Sequence, residues 1–489
     1  MKLKKISLEN FRCYQQLEIE LHPKTTVLAA NNGQGKTTIL DAVRIALWPY
    51  VSQFDLAKTP YVDPSNTITI DDVHILKSTD QKSPVFGALD EMARQFPSSV
   101  VAESSSSNGL HTWRRYRDSE AKKSQTKDDT GTKALKNSAK EMQKAIRDLS
   151  ATPKTLPVFG YYGTGRLWRE KRLTDSKKGK AEKNNEQIRT FAYRDCLDPA
   201  SSFKQFQDWF TSAYLKVMEY QIKQLESGAT FIEVPNELRR PVKVVQDAVN
   251  EVLKPIGWQH LQYSEKYDKS LVLKHPKLGV MKISQLSDGI KNMLAMIADI
   301  AYRCVLLNGH LQDQAAKQSP GVIMIDEVDM HLHPQWQQTV VASLQQAFPN
   351  IQFIVTTHSP QVLSTVPAES IRIIRHEIDS DSETDLILSS ATPPLTQSKG
   401  VASADIMAEL QLVDPIPDVE EAHWLSQYKQ LIIENNHENS HGKALKEKIL
   451  QHFGESHQEW RECERLVRLQ QMKAKLPKRN QHRPGGENA

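Results

Sequence analysis

The sequence predicts an α/β chain built on parallel strands, and three observations carry that prediction. An apolar strand at 25–30 runs into the glycine-bearing stretch AANNGQGKTT, and the segment KTTILDAVRIAL at 36–47 then turns to helical periodicity. A second apolar strand, GVIMID at 321–326, ends at Asp326 and Glu327. A third, IQFIVTT at 351–357, ends at His358. Short unbroken apolar runs suit strands covered on both faces, as in a parallel sheet.

The remaining elements follow in order. Residues 3–10 and 17–21 read as short strands, HTWRRYRDSE at 111–120 as another, and ESSSSN at 103–108 as a turn or loose loop. KALKNSAKEMQKAIRDL at 133–149 is an amphipathic helix. LPVFGYYGTGRLWREKR is an apolar strand that breaks into a basic, glycine-bearing loop, and 173–187 is polar and mobile. Two longer helices at 202–227 and 240–254 carry aromatic and aliphatic stripes of the kind that build cores. A hairpin at 271–283 precedes a helix at 288–307. A helix at 335–347 and strands at 370–375 and 386–389 complete this part. Beyond 400 the chain reads as polar helices at 417–434 and 443–475 with a disordered tail.

Bulk properties narrow the class. The 489 residues, 39% hydrophobic and 25% charged, are enough for two or three domains with a sizeable core. The basic N-terminus lacks the apolar run of a signal peptide, and the longest apolar stretch is interrupted by Asp299 and Arg303, so no membrane span is expected. Four scattered cysteines form no CxxC pair, which fits a cytoplasmic chain and speaks against zinc. Residues 111–190 hold 21 Lys/Arg against 10 Asp/Glu, and 464–489 hold 7 against 2, on an otherwise acidic body. Two local basic regions fit an anionic partner such as nucleic acid, or else a solvated helix face and a loose tail.

The motifs point to phosphate chemistry. Gly33, Gly35, Lys36 and Thr37 form the core of a P-loop, in which backbone N–H groups and a helix N-terminus cradle phosphates. Lys36 supplies a point charge and Thr37 a hydroxyl for Mg²⁺. Asn31, Asn32, Gln34 and Thr38 complete the loop around ATP, while Ala30 stands where the motif has its first glycine. A methyl group is tolerated there if φ stays negative. Asp326 is placed to hold Mg²⁺, and Glu327 to polarise an attacking water. Ser287 and Gly289, in QLSDGIKNML, offer a hydroxyl and a backbone N–H at a helix start. His358, 31 residues after Glu327, can donate to a γ-phosphate.

This order of motifs resembles the ABC-type ATPases, and in particular their SMC- and RecF-like branch, whose N-F-R opening is matched by Asn10, Phe11 and Arg12. The resemblance implies an ABC-type P-loop ATPase with a helical lobe and a helical C-terminal extension. Arg12 would lie near the nucleotide, and Ser287 and Gly289 would act on the ATP held by a second subunit, making a head-to-tail homodimer or higher oligomer. Residues 328–333 take the D-loop position. No clear Q-loop glutamine follows the strand at 156–160, and Tyr161–Arg166 stands in its place. The long coiled coils of SMC proteins are missing, since about 250 residues separate Lys36 from Ser287 without a sustained heptad pattern. The expected division is an N-terminal core part at 1–110, a basic insertion and helical lobe at 111–270, a C-terminal core part at 271–400 and a partner-binding extension at 401–489.

A finer resemblance rests on YYGTGRLW at 161–168, DEVDMHLHPQWQ at 326–337 and SADIMAELQ at 403–411. These are similar to the ATPase subunit of Septu-type anti-phage defence systems (PtuA-like), including retron-associated ones. That implies slow ATP turnover, an HNH nuclease partner (PtuB-like) and, where a retron is linked, a reverse transcriptase with its DNA or RNA product. The alternative is a RecF-like repair ATPase that grips duplex DNA with the basic insertion; a transporter subunit fits less well. Trp424, Tyr428, Leu431 and Ile432 form either a docking stripe for a partner or core packing. His437 and His441 lack a third metal ligand nearby and read as a polar loop.

Overall fold

The computed structural model describes residues 1–57, 63–77, 92–106, 109–121, 124–148, 150, 152–166, 188–199, 203–228, 233–379 and 386–475. The expectations for 173–187 and for the tail beyond 475 lie outside the described residues. The chain divides into two compact units, Met1–Gln411 and Leu412–Ala489.

The first unit begins with an antiparallel layer. β1 (Lys2–Phe11) and β2 (Tyr14–Glu20) form a hairpin. Leu3, Ile6, Leu8 and Phe11 of β1 are buried, and most residues between them are not. β3 (Thr25–Ala29) leads into α1 (Lys36–Val51). After the small ribbon β4 (Ile75–Lys77) and β5 (Met92–Arg94), the strands β6 (Ser98–Ser106), β7 (Gly109–Arg117) and β8 (Lys127–Asp128) extend the first layer in the order β2-β1-β6-β7-β8. Residues 103–106 thus belong to a strand, not to the expected loop. Their serine-rich composition is overridden by pairing on both sides with β1 and β7, and Ser104 is buried.

α2 (Thr130–Ala145) covers β7 and α1, and β9 (Val158–Tyr162) returns the chain to the core. α3 (Phe203–Glu226) and α4 (Asn236–Leu253) form the helical lobe. β10 (Gln259–Ser264), β11 (Ser270–His275) and β12 (Gly279–Lys282) then make a three-stranded sheet, one strand more than the expected hairpin. α5 (Asp288–Asn308) and the short α6 (Ala315–Gln318) precede β13 (Gly321–Ile325). The helix expected at 335–347 is two pieces, α7 (Pro334–Gln337) and α8 (Val340–Ala347). β14 (Ile351–Thr357), α9 (Pro360–Leu363), β15 (Ile371–Asp379), β16 (Leu386–Thr392) and α10 (Ser403–Glu409) finish the unit.

The core sheet has the order β16-β15-β3-β14-β13-β9, parallel throughout except for the edge strand β16. β3, β9, β13 and β14 are buried at every position, which is why they read as continuous apolar runs. α1 is clasped between the sheets, touching β14 on one side and β6 and β7 on the other. Pro49 inside α1 has no N–H for the Ile45 carbonyl four residues back. Arg115 Nη1 donates to that carbonyl at 2.8 Å, and Trp113 Nε1 donates to Ala46 O at 2.8 Å. β7 therefore repairs the helix that follows the glycine loop.

In the second unit α11 (Glu420–Ile433), α12 (Ser440–Phe453) and α13 (Gln458–Lys475) share a small core of Leu425, Tyr428, Ile432, Leu445, Ile449, Trp460 and Cys463. Gly454, at φ 78, splits the single helix expected at 443–475. Tyr428 and Ile432 are buried inside this unit, and Trp424 and Leu431 pack against its core. His437 is buried, whereas His441 is exposed on α12. Among the described residues no helix is long and apolar enough to cross a membrane.

Candidate active site

β3, β14 and β13 are neighbours, and their carboxyl ends bring residues 30–38, His358 and Asp326–Glu327 to one edge of the sheet. The loop at 30–38 is closed on itself. Lys36 Nζ donates to the carbonyls of Ala30 (2.9 Å) and Asn31 (3.2 Å), and Gln34 N–H reaches Asn31 O at 3.4 Å. Gly33 and Gly35 have φ of 81° and 80°, the left-handed region that favours glycine. Ala30 is not among the positive-φ residues, so its methyl group is accommodated as the sequence led us to expect. At Gly35 a Cβ would also lie 2.5 Å from Cys13 Sγ and Tyr14 Oη. Tyr14 Oη in turn donates to the Gln34 carbonyl at 2.7 Å.

The acidic pair is threaded into the same edge by hydroxyls. Thr37 Oγ1 donates to Asp326 Oδ2 at 2.9 Å, and Thr356 Oγ1 donates to Asp326 Oδ1 at 2.6 Å. Thr356 Oγ1 also accepts the Glu327 N–H at 2.7 Å. Glu327 has φ 49°, an uncommon conformation for a side-chain-bearing residue, and that hydrogen bond helps hold it. Thr357 Oγ1 donates to Asp329 Oδ1 at 2.6 Å. Burial lowers the Lys36 pKa, against the pull of Asp326, Glu327 and Asp329. Burial, then the Lys36 charge, lowers the pKa of His358, so its imidazole is neutral near pH 7 and still carries one N–H to donate.

Two expected site elements are held by partners other than the loop and the acidic pair. Arg12 is engaged by carboxylates: Nη1 meets Asp41 at 2.6 Å and Nε meets Asp72 at 2.8 Å. Asp41 lies on α1 and also accepts from Tyr161 Oη at 3.2 Å, so Arg12 braces the helix that follows the loop. Ser287 caps α5 in position only; its hydroxyl makes no capping bond and is exposed. Gly289 is buried, and a Cβ there would stand 2.2 Å from the His331 carbonyl. α5 is anchored farther along by a buried cluster, in which Tyr162 Oη and Arg303 Nε each donate to Asp299 Oδ2 at 2.8 Å. Tyr161 and Tyr162 thus tie the end of β9 to α1 and α5.

Sequence reasoning missed Tyr14, Asp41 and Thr356, and gave Asp329 and Gln337 no role of their own within the stretch at 326–337. For Thr356 the TT of IVTTHS, lying in a strand end beside the acidic pair, held a readable signal. Thr37 and Asp326 offer hydroxyl and carboxylate oxygens suited to a hard divalent cation. Lys36 and the left-handed glycines make a cradle for an anion.

The chain matches the AAA ATPase domain family over residues 1–363. It belongs to that family. It is an ATPase, with the phosphate loop on the parallel sheet described above. Similar proteins include the retron Vc95 probable ATPase of Vibrio cholerae, 26% identical over 78% of this chain and 74% of that one. The retron Ec83 probable ATPase of Escherichia coli is 24% identical over 93% of this chain and 84% of that one. A Septu protein PtuA of Bacillus mycoides is 30% identical over 29% of this chain and 18% of that one.

Proposed function

We propose that this chain is the ATP-gated switch of an anti-phage defence assembly of Septu or retron type. Two copies sandwich two nucleotides head to tail and restrain an HNH nuclease partner, with a reverse transcriptase and its nucleic-acid product as further partners where a retron is linked. The observation that carries the reading is the hydrogen-bond chain from Thr37 through Asp326 and Thr356 to Glu327. It joins the phosphate loop to the acidic pair across three adjacent strands. The names of the relatives support the defence setting.

In this reading the loop from Asn31 to Thr38 binds the phosphates, and Lys36 exchanges its two carbonyl partners for phosphate oxygens. Thr37 and Asp326 would hold Mg²⁺, which supplies charge neutralisation at the phosphates. Glu327 accepts a proton from the attacking water, and neutral His358 donates to the γ-phosphate. The unengaged Ser287 hydroxyl serves the nucleotide of the second copy. Glu327→Gln should keep ATP binding, slow hydrolysis about 10²–10³-fold and accumulate an ATP-bound dimer on mass measurement. Wild-type turnover in that variant would remove Glu327 from this role.

A nucleic-acid contact, the RecF-like alternative, finds support on α2. Lys133, Lys140 and Lys144 are exposed and spaced seven and four apart, so they share one face. None has an ion-pair partner among the described residues. Charge reversal of all three should weaken duplex binding and reduce the slope of log affinity against log salt by about 3. An unchanged slope would leave the row as a solvated face.

A further inference from the structure

Of the three stretches set apart in the sequence, 161–168, 326–337 and 403–411, the last two border the switch segment at 356–359, which carries His358. The chemistry above leaves the last of them without a role. Its helix, α10, packs on α9, the helix that begins directly after the switch, and Ile406 and Leu410 are buried there in the main core. Just past the end of α10, Gln411 Nε2 donates to the His358 carbonyl at 2.7 Å.

The peptide carrying the imidazole is then gripped from several sides. Thr357 Oγ1 bonds to Asp329 and accepts the Ser359 N–H at 3.0 Å. Ser359 Oγ donates to Gln337 Oε1 at 2.7 Å, and Gln337 Nε2 donates to Leu332 O at 2.9 Å. Those bonds fix the residues on either side of His358. Gln411 alone among these side chains holds the carbonyl of His358 itself. A donor on that carbonyl fixes the 358–359 peptide plane, and with it the direction in which the imidazole leaves the backbone. Gln411 is also the last residue of the first unit, and Leu412, at φ 54°, begins the second. The chain therefore runs from the residue that grips the switch through 412–419 to α11.

We propose that Gln411 is a positioning residue for His358: it aims the imidazole by holding its peptide, without itself touching nucleotide. This rests on the reading that His358 serves the γ-phosphate, so the test separates the two. In the full-length chain, Gln411→Leu removes the donor at nearly constant volume. It should lower kcat about tenfold and leave KM for ATP within about twofold. Gln411→Lys, which returns a donor, should recover most of the rate. Should Gln411→Leu fail to fold, Gln411→Glu carries the same expectation, because it keeps the length and replaces the donor by an acceptor.

His358→Ala should fall at least as far, and adding Gln411→Leu to it should cause no further loss, since two residues acting through one group are not additive. Full turnover in His358→Ala would sink the assignment of the histidine. An impaired His358→Ala beside a normal Gln411→Leu, or a double variant slower than His358→Ala, would overturn the role of Gln411 while leaving the histidine in place.

Discussion

The loop at 30–38 and the turn at 287–289 offer a phosphate the same kinds of atom, a hydroxyl and backbone N–H groups, yet the chain completes them differently. In the loop, Lys36 closes on Ala30 and Asn31, Thr37 closes on Asp326, and Tyr14 braces Gln34. The Lys36 ammonium and the Thr37 hydroxyl each have a stand-in partner from their own chain. In the turn, the backbone is set just as firmly, with Gly289 wedged against the His331 carbonyl, but the Ser287 hydroxyl is left exposed and without a capping bond. The difference teaches that position and engagement are separate properties of a site. One chain holds both features in place and engages only one of them.

The glycines show why each is needed and give the largest expected effects. Gly289 has no unusual φ; it is small because a backbone carbonyl occupies the space where Cβ would be. That carbonyl belongs to the segment between Glu327 and α7, itself held by Thr357 through Asp329, so it yields little. Gly289→Ala should cost about 3 kcal/mol of stability, read by urea unfolding without nucleotide. Gly35 differs in needing a positive φ, while the atoms its Cβ would meet are the side-chain ends of Cys13 and Tyr14. Gly35→Ala should therefore cost less, about 1–2 kcal/mol, and should weaken ATP binding as well. A reversed order would mean that the turn, not the loop, is the part that adapts.

How much of this could be read beforehand follows the same division. β3, β13 and β14 were legible because strands buried on both faces leave unbroken apolar runs, and the residues at their ends inherited the strands' clarity. The partners that arm those residues were not legible. Thr356 reaches Asp326 only because β14 and β13 are neighbours, although 30 positions separate the two residues. The N-F-R resemblance placed Arg12 near the nucleotide, but its use by Asp41 and Asp72 depends on segments 29 and 60 residues away. At 103–106 local composition misled, because serine's preference for turns is weaker than two-sided strand pairing. The break at Gly454 is the opposite case, a glycine that plainly signalled a helix end inside a segment read as continuous.

The smallest effect on the folded chain gives the sharpest test of the comparison. A serine that caps a helix through its side chain contributes about 0.5–2 kcal/mol, but Ser287 makes no such bond. Ser287→Ala should therefore leave unfolding within about 0.5 kcal/mol of wild type. If the hydroxyl meets a phosphate of the second copy, the loss is felt twice in a symmetric dimer, once at each nucleotide. Each charge-assisted hydrogen bond is worth about 1.5 kcal/mol or more, so ATP-dependent dimerisation should weaken about a hundredfold, while ATP binding to the monomer stays unchanged. Titration of dimer mass against protein concentration, in the Glu327→Gln background that suppresses hydrolysis, reads this directly. A variant that dimerises normally would show that the turn is exposed without being an interface, and the head-to-tail sandwich would lose its main support. A variant that unfolds early would show that Ser287 has a partner within its own chain, and the contrast between loop and turn would fail at its root.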